Sequence, residues 1–274
     1  MSIEKPYPRL EELVKLVGEA GRRLSDIEAS EGAAGNISVF AGWPLEPGRL
    51  FPLCETITLP LELPELAGKT FIVTGSGRRL REIIQDPAAN LGFLVVEAGG
   101  RTARLFTSPE RLFVHLTSEL NSHLAVHRDQ ILSTGTNFHA VIHAQPPNIT
   151  YLSNVPRYQE QAYLNRHLLR WQPELIINLP EGVGFVPFRV PGSKEMMEAT
   201  VAALRGHRVV LWAKHGVMAR SDTSVKRASD RIEYAETAAR YEGMNLARGE
   251  QATGLSVDEI RVICEAFGIK QDIF

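Results

Sequence analysis

The chain of 274 residues reads as an α/β protein, and three observations predict it. Short, wholly apolar runs such as Phe71–Val73, Phe138–Ile142 and Val209–Trp212 have the length of buried strands. Between them lie longer stretches whose apolar residues recur every three or four positions, as on one face of a helix. No internal repeat, low-complexity tract or linker interrupts the alternation, so residues 1–274 are expected to form one domain. The net charge of −2, with basic and acidic residues interspersed, gives no sign of a nucleic-acid or membrane-surface partner, and none is expected. The apolar runs are too short to span a bilayer, and residues 1–6 lack the apolar core of a signal peptide. Cys54 and Cys264 stand alone, without zinc or redox spacing. A reducing, cytoplasmic setting is the expectation.

Residues 9–28 are predicted to be helical, with Leu10, Leu13, Val14, Val17, Ala20 and Leu24 on one face. Gly32 to Gly35 breaks that helix and feeds a short strand, Ile37–Phe40; residues 41–68, rich in Pro and Leu, read as a covering loop. Phe71–Thr74 is a strand running into Gly75-Ser76-Gly77, a turn whose amides, placed at a helix start, would make an anion nest. Residues 86–91 read as a turn, and 92–98 with 102–106 as a hairpin around Gly99-Gly100. Thr117-Ser118 caps a helix in whose first turn Glu119 sits, with Leu120, Leu124 and Val126 on its apolar side. His123 and His127 lie four apart on it, and without an acidic partner at motif spacing they read as structural.

Phe138–Ala144 is predicted as a buried strand that Pro146-Pro147 terminates. Residues 157–170 make a polar helix, 174–180 a buried strand, and 182–187 an extended segment. Ser193 caps a helix to about residue 205, and 222–247 and 256–267 form the last two helices. His143 and Gln145, two apart on a strand, point to one face, and two N or O ligands at that spacing can grip a metal ion. His215 ends a second apolar strand in the same manner and is followed by a glycine.

These motifs together resemble the class II aldolase/adducin superfamily. The similarity runs from about residue 10 to the C-terminus and is densest in 71–77, 86–92, 117–120, the His143 strand, 181–184, 190–192, and Leu211-Trp212 with His215-Gly216-Val217. The resemblance implies an α/β/α fold with a central, largely antiparallel sheet, assembled as a homotetramer with sites between subunits. It implies Zn²⁺ held by a His-x-His pair and a distant third histidine; His143 and His215 match the first and third, and Gln145 stands in the second place. It implies proton transfer by Glu119, and phosphate binding by Asn36, Ser76, Gly77, Thr117 and Ser118. A second glutamate reaches a neighbouring subunit's site in such enzymes, and Glu174 falls near it. The activity implied is retro-aldol cleavage of a ketose 1-phosphate, of the rhamnulose 1-phosphate kind, to dihydroxyacetone phosphate and an aldehyde. A small phosphorylated sugar is then the partner.

Cleaving a carbon–carbon bond beside a ketone needs a divalent cation for the charge that develops, a carboxylate for the proton, and amides for the phosphate. A Schiff-base lysine is not required. Two departures from the family pattern bear on this. Gln145 is a neutral, weaker donor to zinc than imidazole, which points to looser zinc, a harder ion such as Mg²⁺ or Mn²⁺, or none. Ala33 replaces one of two asparagines in the first glycine-rich loop. Three readings stay open: an aldolase, a related epimerase, dehydratase or decarboxylase, and a non-catalytic binding module like the adducin head.

Overall fold

The computed structural model describes residues 3–274. Nine strands form one sheet: β1 (Asn36–Ala41), β2 (Leu53–Thr58), β3 (Thr70–Thr74), β4 (Leu91–Val96), β5 (Thr102–Thr107), β6 (Phe138–Ala144), β7 (Gly184–Val186), β8 (Val209–Trp212) and β9 (Gly216–Ser221). Their order is β2-β5-β4-β3-β1-β6-β9-β8-β7, and every pair is antiparallel except β7 with β8. The largely antiparallel sheet is therefore present. The α-helices are α1 (Leu10–Asp26), α2 (Leu80–Ile83), α3 (Pro87–Asn90), α4 (Leu120–Thr134), α5 (Pro147–Leu152), α6 (Gln161–Leu169), α7 (Pro173–Asn178), α8 (Lys194–Gly206), α9 (Val225–Ala247) and α10 (Val257–Phe267).

Helices cover both faces of the sheet. α1, α5 and α9 pack together over β6, β8 and β9 on one side, and α4 and α8 pack together over β6, β7 and β8 on the other. The strand period of two divides the core accordingly. Ile37, Val39, Ala140, Ile142, Leu211 and Val217 join Leu13, Val17 and Ile232 on the α1/α9 side. Val141, Val210, Trp212 and Met218 join Val126, Met196 and Leu204 on the α4/α8 side. The same alternation puts Asn36, Ser38, His139 and His143 on the α4/α8 face.

Several expectations from the sequence are corrected. The covering loop at 41–68 contains β2, an edge strand that pairs only with β5 and whose residues are nearly all exposed, so it carries no apolar alternation to read. The apolar run at 174–180 is helix α7. Pro173 takes its first position, where a missing N–H costs nothing, and a short apolar run has no period that separates helix from strand. The proline pair after β6 begins a helix as well as ending a strand: Pro147 starts α5, and the Glu236 carboxylate caps it by accepting from the Asn148 and Ile149 amides. The turn at 86–91 is helix α3, with the Asp86 carboxylate accepting from the Ala89 amide. The helix after Gly77 is a single turn, α2, too short for a useful dipole. α4 begins with Glu119 at its cap position, and the Thr117 hydroxyl accepts from the Glu119 amide rather than capping the helix.

Among the described residues no helix is long and apolar enough to cross a membrane.

Candidate metal centre and active site

Three elements deliver one residue each to a buried cluster. Glu119 sits at the start of α4, His143 near the end of β6, and His215 in the turn between β8 and β9. A nitrogen or oxygen from each lies within 4.8 Å of the others, the only such His, Cys, Asp and Glu group among the described residues. Glu119 Oε2 stands 3.7 Å from His143 Nε2, and Oε1 stands 3.8 Å from His215 Nε2. These gaps are too long for hydrogen bonds. They approach the roughly 3.4 Å between two ligands that each lie about 2.1 Å from a tetrahedral zinc.

The histidines present usable lone pairs. His143 Nδ1–H donates to the Val217 carbonyl at 2.9 Å, which leaves Nε2 bare toward Glu119 in the neutral ring. Trp212 stacks against both rings, with centroids 4.8 Å from His143 and 5.2 Å from His215, and fixes their planes. Burial, with the nearby His143, pushes His215 down to about 4 against the pull of Glu119, so its imidazole is neutral at neutral pH. His215 Nδ1 is buried and makes no hydrogen bond among the described residues. Burial raises the Glu119 carboxyl, but the surrounding histidines, His143 foremost, and the Asn36 hydrogen bond outweigh it and hold the group below its ordinary value. Two imidazoles and one carboxylate make a donor set that suits a divalent cation.

The turn that presents His215 is under local strain. Lys214 adopts a left-handed backbone, φ 63°, and its amide donates to Ser153 Oγ at 2.7 Å. A Cβ at Gly216 would run into the Ala144 carbonyl, so only glycine lets β9 approach the end of β6 this closely.

The other residues singled out from the sequence divide into three groups. Asn36 belongs with the cluster: it lies opposite His143 in the β1–β6 register and donates from Nδ2 to Glu119 Oε2 at 2.9 Å. Ser76, Gly77 and Ser118 are exposed, while Thr117 is buried behind them. The Ser76 amide is committed to the His115 carbonyl at 2.8 Å, whereas the Gly77 amide, at φ 70°, makes no hydrogen bond among the described residues. Gln145 follows the last residue of β6; its amide donates to Ala29 and its Cγ lies beside Gly216. Glu174 is exposed on the first turn of α7, outside the Glu119 cluster.

Residues that the sequence reading did not assign to the site also sit here. Trp212 was part of an apolar run, with nothing to mark it as a wall of the site. His123, His127, His139 and Ser38 are all fully buried and bonded in a line that reaches Asn36. Their same-face spacing, i and i+4 on α4 and i and i+2 on β1, was the available signal.

A family model described as "Class II Aldolase and Adducin N-terminal domain" matches residues 15–242. The rhamnulose-1-phosphate aldolase of Escherichia coli O7:K1 is 32% identical over 213 residues, 78% of this chain and 77% of that one. The protein of the same name from Klebsiella pneumoniae subsp. pneumoniae is 31% identical over 214 residues, 78% of this chain and 76% of that one. Among solved structures, a sugar-phosphate aldolase from Thermotoga maritima superposes with a TM-score of 0.74 at 28% identity, covering 89% of this chain and 99% of that chain.

Proposed function

The chain belongs to the class II aldolase and adducin family, and from that premise we propose that it is a metal-dependent lyase cleaving a ketose 1-phosphate, of the rhamnulose 1-phosphate kind, to dihydroxyacetone phosphate and an aldehyde. The observation that carries this reading is the convergence of the buried Glu119 carboxylate with His143 Nε2 and His215 Nε2 in one cluster. A binding module has no use for a carboxylate buried at 4% exposure against two imidazoles, because burying that charge costs several kcal/mol.

His143 and His215 would hold the cation, with Glu119 or Gln145 completing its ligands. A bound divalent cation supplies electrostatic stabilisation for the negative charge that develops on the ketone oxygen. Glu119 takes the proton from the hydroxyl being cleaved; the electron pair of the carbon–carbon bond passes to the carbon beside the ketone, and the proton returns there. Asn36, Ser76, Gly77, Thr117 and Ser118 would bind and orient the phosphate. Glu174, exposed, is free to serve a neighbouring subunit's site in a tetramer.

The test is direct. Protein loaded with Zn²⁺ is assayed for dihydroxyacetone phosphate released from L-rhamnulose 1-phosphate, and again after chelation. Release that chelation abolishes is expected. A fully loaded protein that cleaves neither this nor other ketose 1-phosphates overturns the reading in favour of an epimerase, a dehydratase or a non-catalytic role.

A further inference from the structure

Behind Glu119 runs a line of polar side chains through the α4 face of the core. Asn36 donates from Nδ2 to Glu119 Oε2 at 2.9 Å, and its Oδ1 bonds His123 Nε2. His123 Nδ1 lies 2.6 Å from Ser38 Oγ, which lies 2.7 Å from His127 Nε2. His127 Nδ1 faces His139 Nδ1 at 2.9 Å. Asn36 is 8% exposed, and Ser38, His123, His127 and His139 are 0% exposed. α4 supplies two of the histidines, β1 supplies Asn36 and Ser38, and β6 supplies His139.

Only one direction of donation satisfies every link. A carboxylate can only accept, so the Asn36 amino group faces Glu119 and its carbonyl oxygen faces His123. His123 must then carry its proton on Nε2. A neutral imidazole has one bare nitrogen, so His123 Nδ1 accepts from the Ser38 hydroxyl, and Ser38 accepts in turn from His127 Nε2–H. His127 Nδ1 is then bare and accepts from His139 Nδ1–H, which leaves His139 Nε2 as an acceptor. That atom is buried and makes no hydrogen bond among the described residues, and neither does the buried Nε–H of Arg231. Burial first, then the charges of Arg220 and Arg231, oppose a second proton on His139, and burial keeps His123 and His127 neutral.

We propose that Ser38, His123, His127 and His139 are positioning residues: a line of hydrogen bonds of single direction that holds the Asn36 carboxamide with its amino group on Glu119. The line acts by orientation. A carboxamide does not pass protons on, so nothing is conducted through Asn36 to Glu119. With Oδ1 secured by His123, the amide cannot turn its oxygen toward the carboxylate, and Glu119 keeps both oxygens aimed at His143 and His215. The kinetic consequence rests on Glu119 acting as base in the proposed lyase; the proton positions do not.

The first experiment reads the protons themselves. In zinc-loaded protein with ¹⁵N-labelled histidine, long-range proton–nitrogen correlation at neutral pH separates protonated from bare ring nitrogens. His123 and His127 are expected protonated on Nε2 and His139 on Nδ1. Protonation of His123 on Nδ1, or a doubly protonated ring at any of the three, overturns the line. Individual His→Gln variants assign the signals. The second experiment compares Ser38→Ala with Ser38→Thr, which keeps a hydroxyl. Ser38→Ala is expected to lower kcat roughly tenfold to a hundredfold with KM nearly unchanged, and Ser38→Thr to recover most of it. Full kcat in a folded Ser38→Ala protein overturns the positioning role. Should Ser38→Ala not fold, the proton pattern of the unaltered protein decides alone. Absence of all aldol cleavage, with the expected proton pattern, removes the lyase reading and leaves the line standing.

Discussion

Glu119 concentrates the chemistry of the molecule in one side chain. It is buried, yet held ionised by an Asn36 hydrogen bond and the imidazoles around it. Replacing it with Gln keeps the shape and the acceptor for Asn36 while removing the base. Glu119→Gln is therefore expected to lower aldol cleavage by about 10²–10⁴-fold, with the thermal midpoint shifted by no more than about 3 °C. Turnover near that of the parent would take Glu119 out of the mechanism. Gln145 bears on the same centre from the other side. An outer-shell partner alone is worth about 10–100-fold in metal affinity, so a direct imidazole donor should count for at least as much. Gln145→His is expected to tighten zinc about tenfold or more in competition with a chromophoric chelator; unchanged affinity would mean that position 145 does not face the ion.

Elements differ in how openly the sequence declares them. α1 announces itself through a single buried stripe from Leu10 to Leu24, and α10 through a capping box in which Ser256 and Glu259 satisfy each other's backbone amides. α7 and β2 do not, since one is a six-residue apolar run and the other an exposed edge. The β8–β9 hairpin matters most for the site, because its turn carries His215. An added methyl at Gly216 collides with the Ala144 carbonyl, which belongs to a strand that cannot yield cheaply. Gly216→Ala is expected to cost about 1–3 kcal/mol in urea unfolding and to weaken zinc binding at the same time. Gly206, the last residue of α8, has open space where a Cβ would go. Gly206→Ala should stabilise the fold by about 0.5–1 kcal/mol and leave zinc affinity alone. Equal zinc affinity in the two variants would separate the turn from the metal centre.

The whole molecule carries the cost of its buried histidines as a dependence on pH. His127 and His139 are neutral in the fold, held well below their ordinary value by burial, His139 at about 3. Once the chain unfolds they take up protons near pH 6.5. The unfolded state thus binds more protons, and stability, complete above about 6.5, is lost as pH falls toward 3. His123, held at about 3 by burial in the same way, makes three such groups, and the slope approaches about 4 kcal/mol per pH unit below pH 6. Urea unfolding at fixed protein concentration between pH 7 and 4.5 measures it, and His139→Gln should cut the slope by about one proton. An equal slope in that variant would mean that His139 is already protonated in the fold.

The resemblance to class II aldolases named the residues of the centre; by itself the sequence determined the α/β class, the long helices and the hairpin at Gly99-Gly100. Each of these rests on a period or spacing that the chain displays locally: 3.6 residues for α1, two for β6, a glycine pair for a turn. The tertiary structure decided what meets what. Asn36 and His143 are neighbours because β1 pairs with β6, and His215 joins them because β9 pairs on the far side of β6. His123 and His127, read locally, were two more helical histidines. Only the packing of α4 against the sheet brings them to Ser38 and makes a single line of four isolated polar residues. Hydrogen-bond direction, like the gap between Glu119 and the two imidazoles, is a property of contacts between segments far apart in the chain, and no local pattern encodes it.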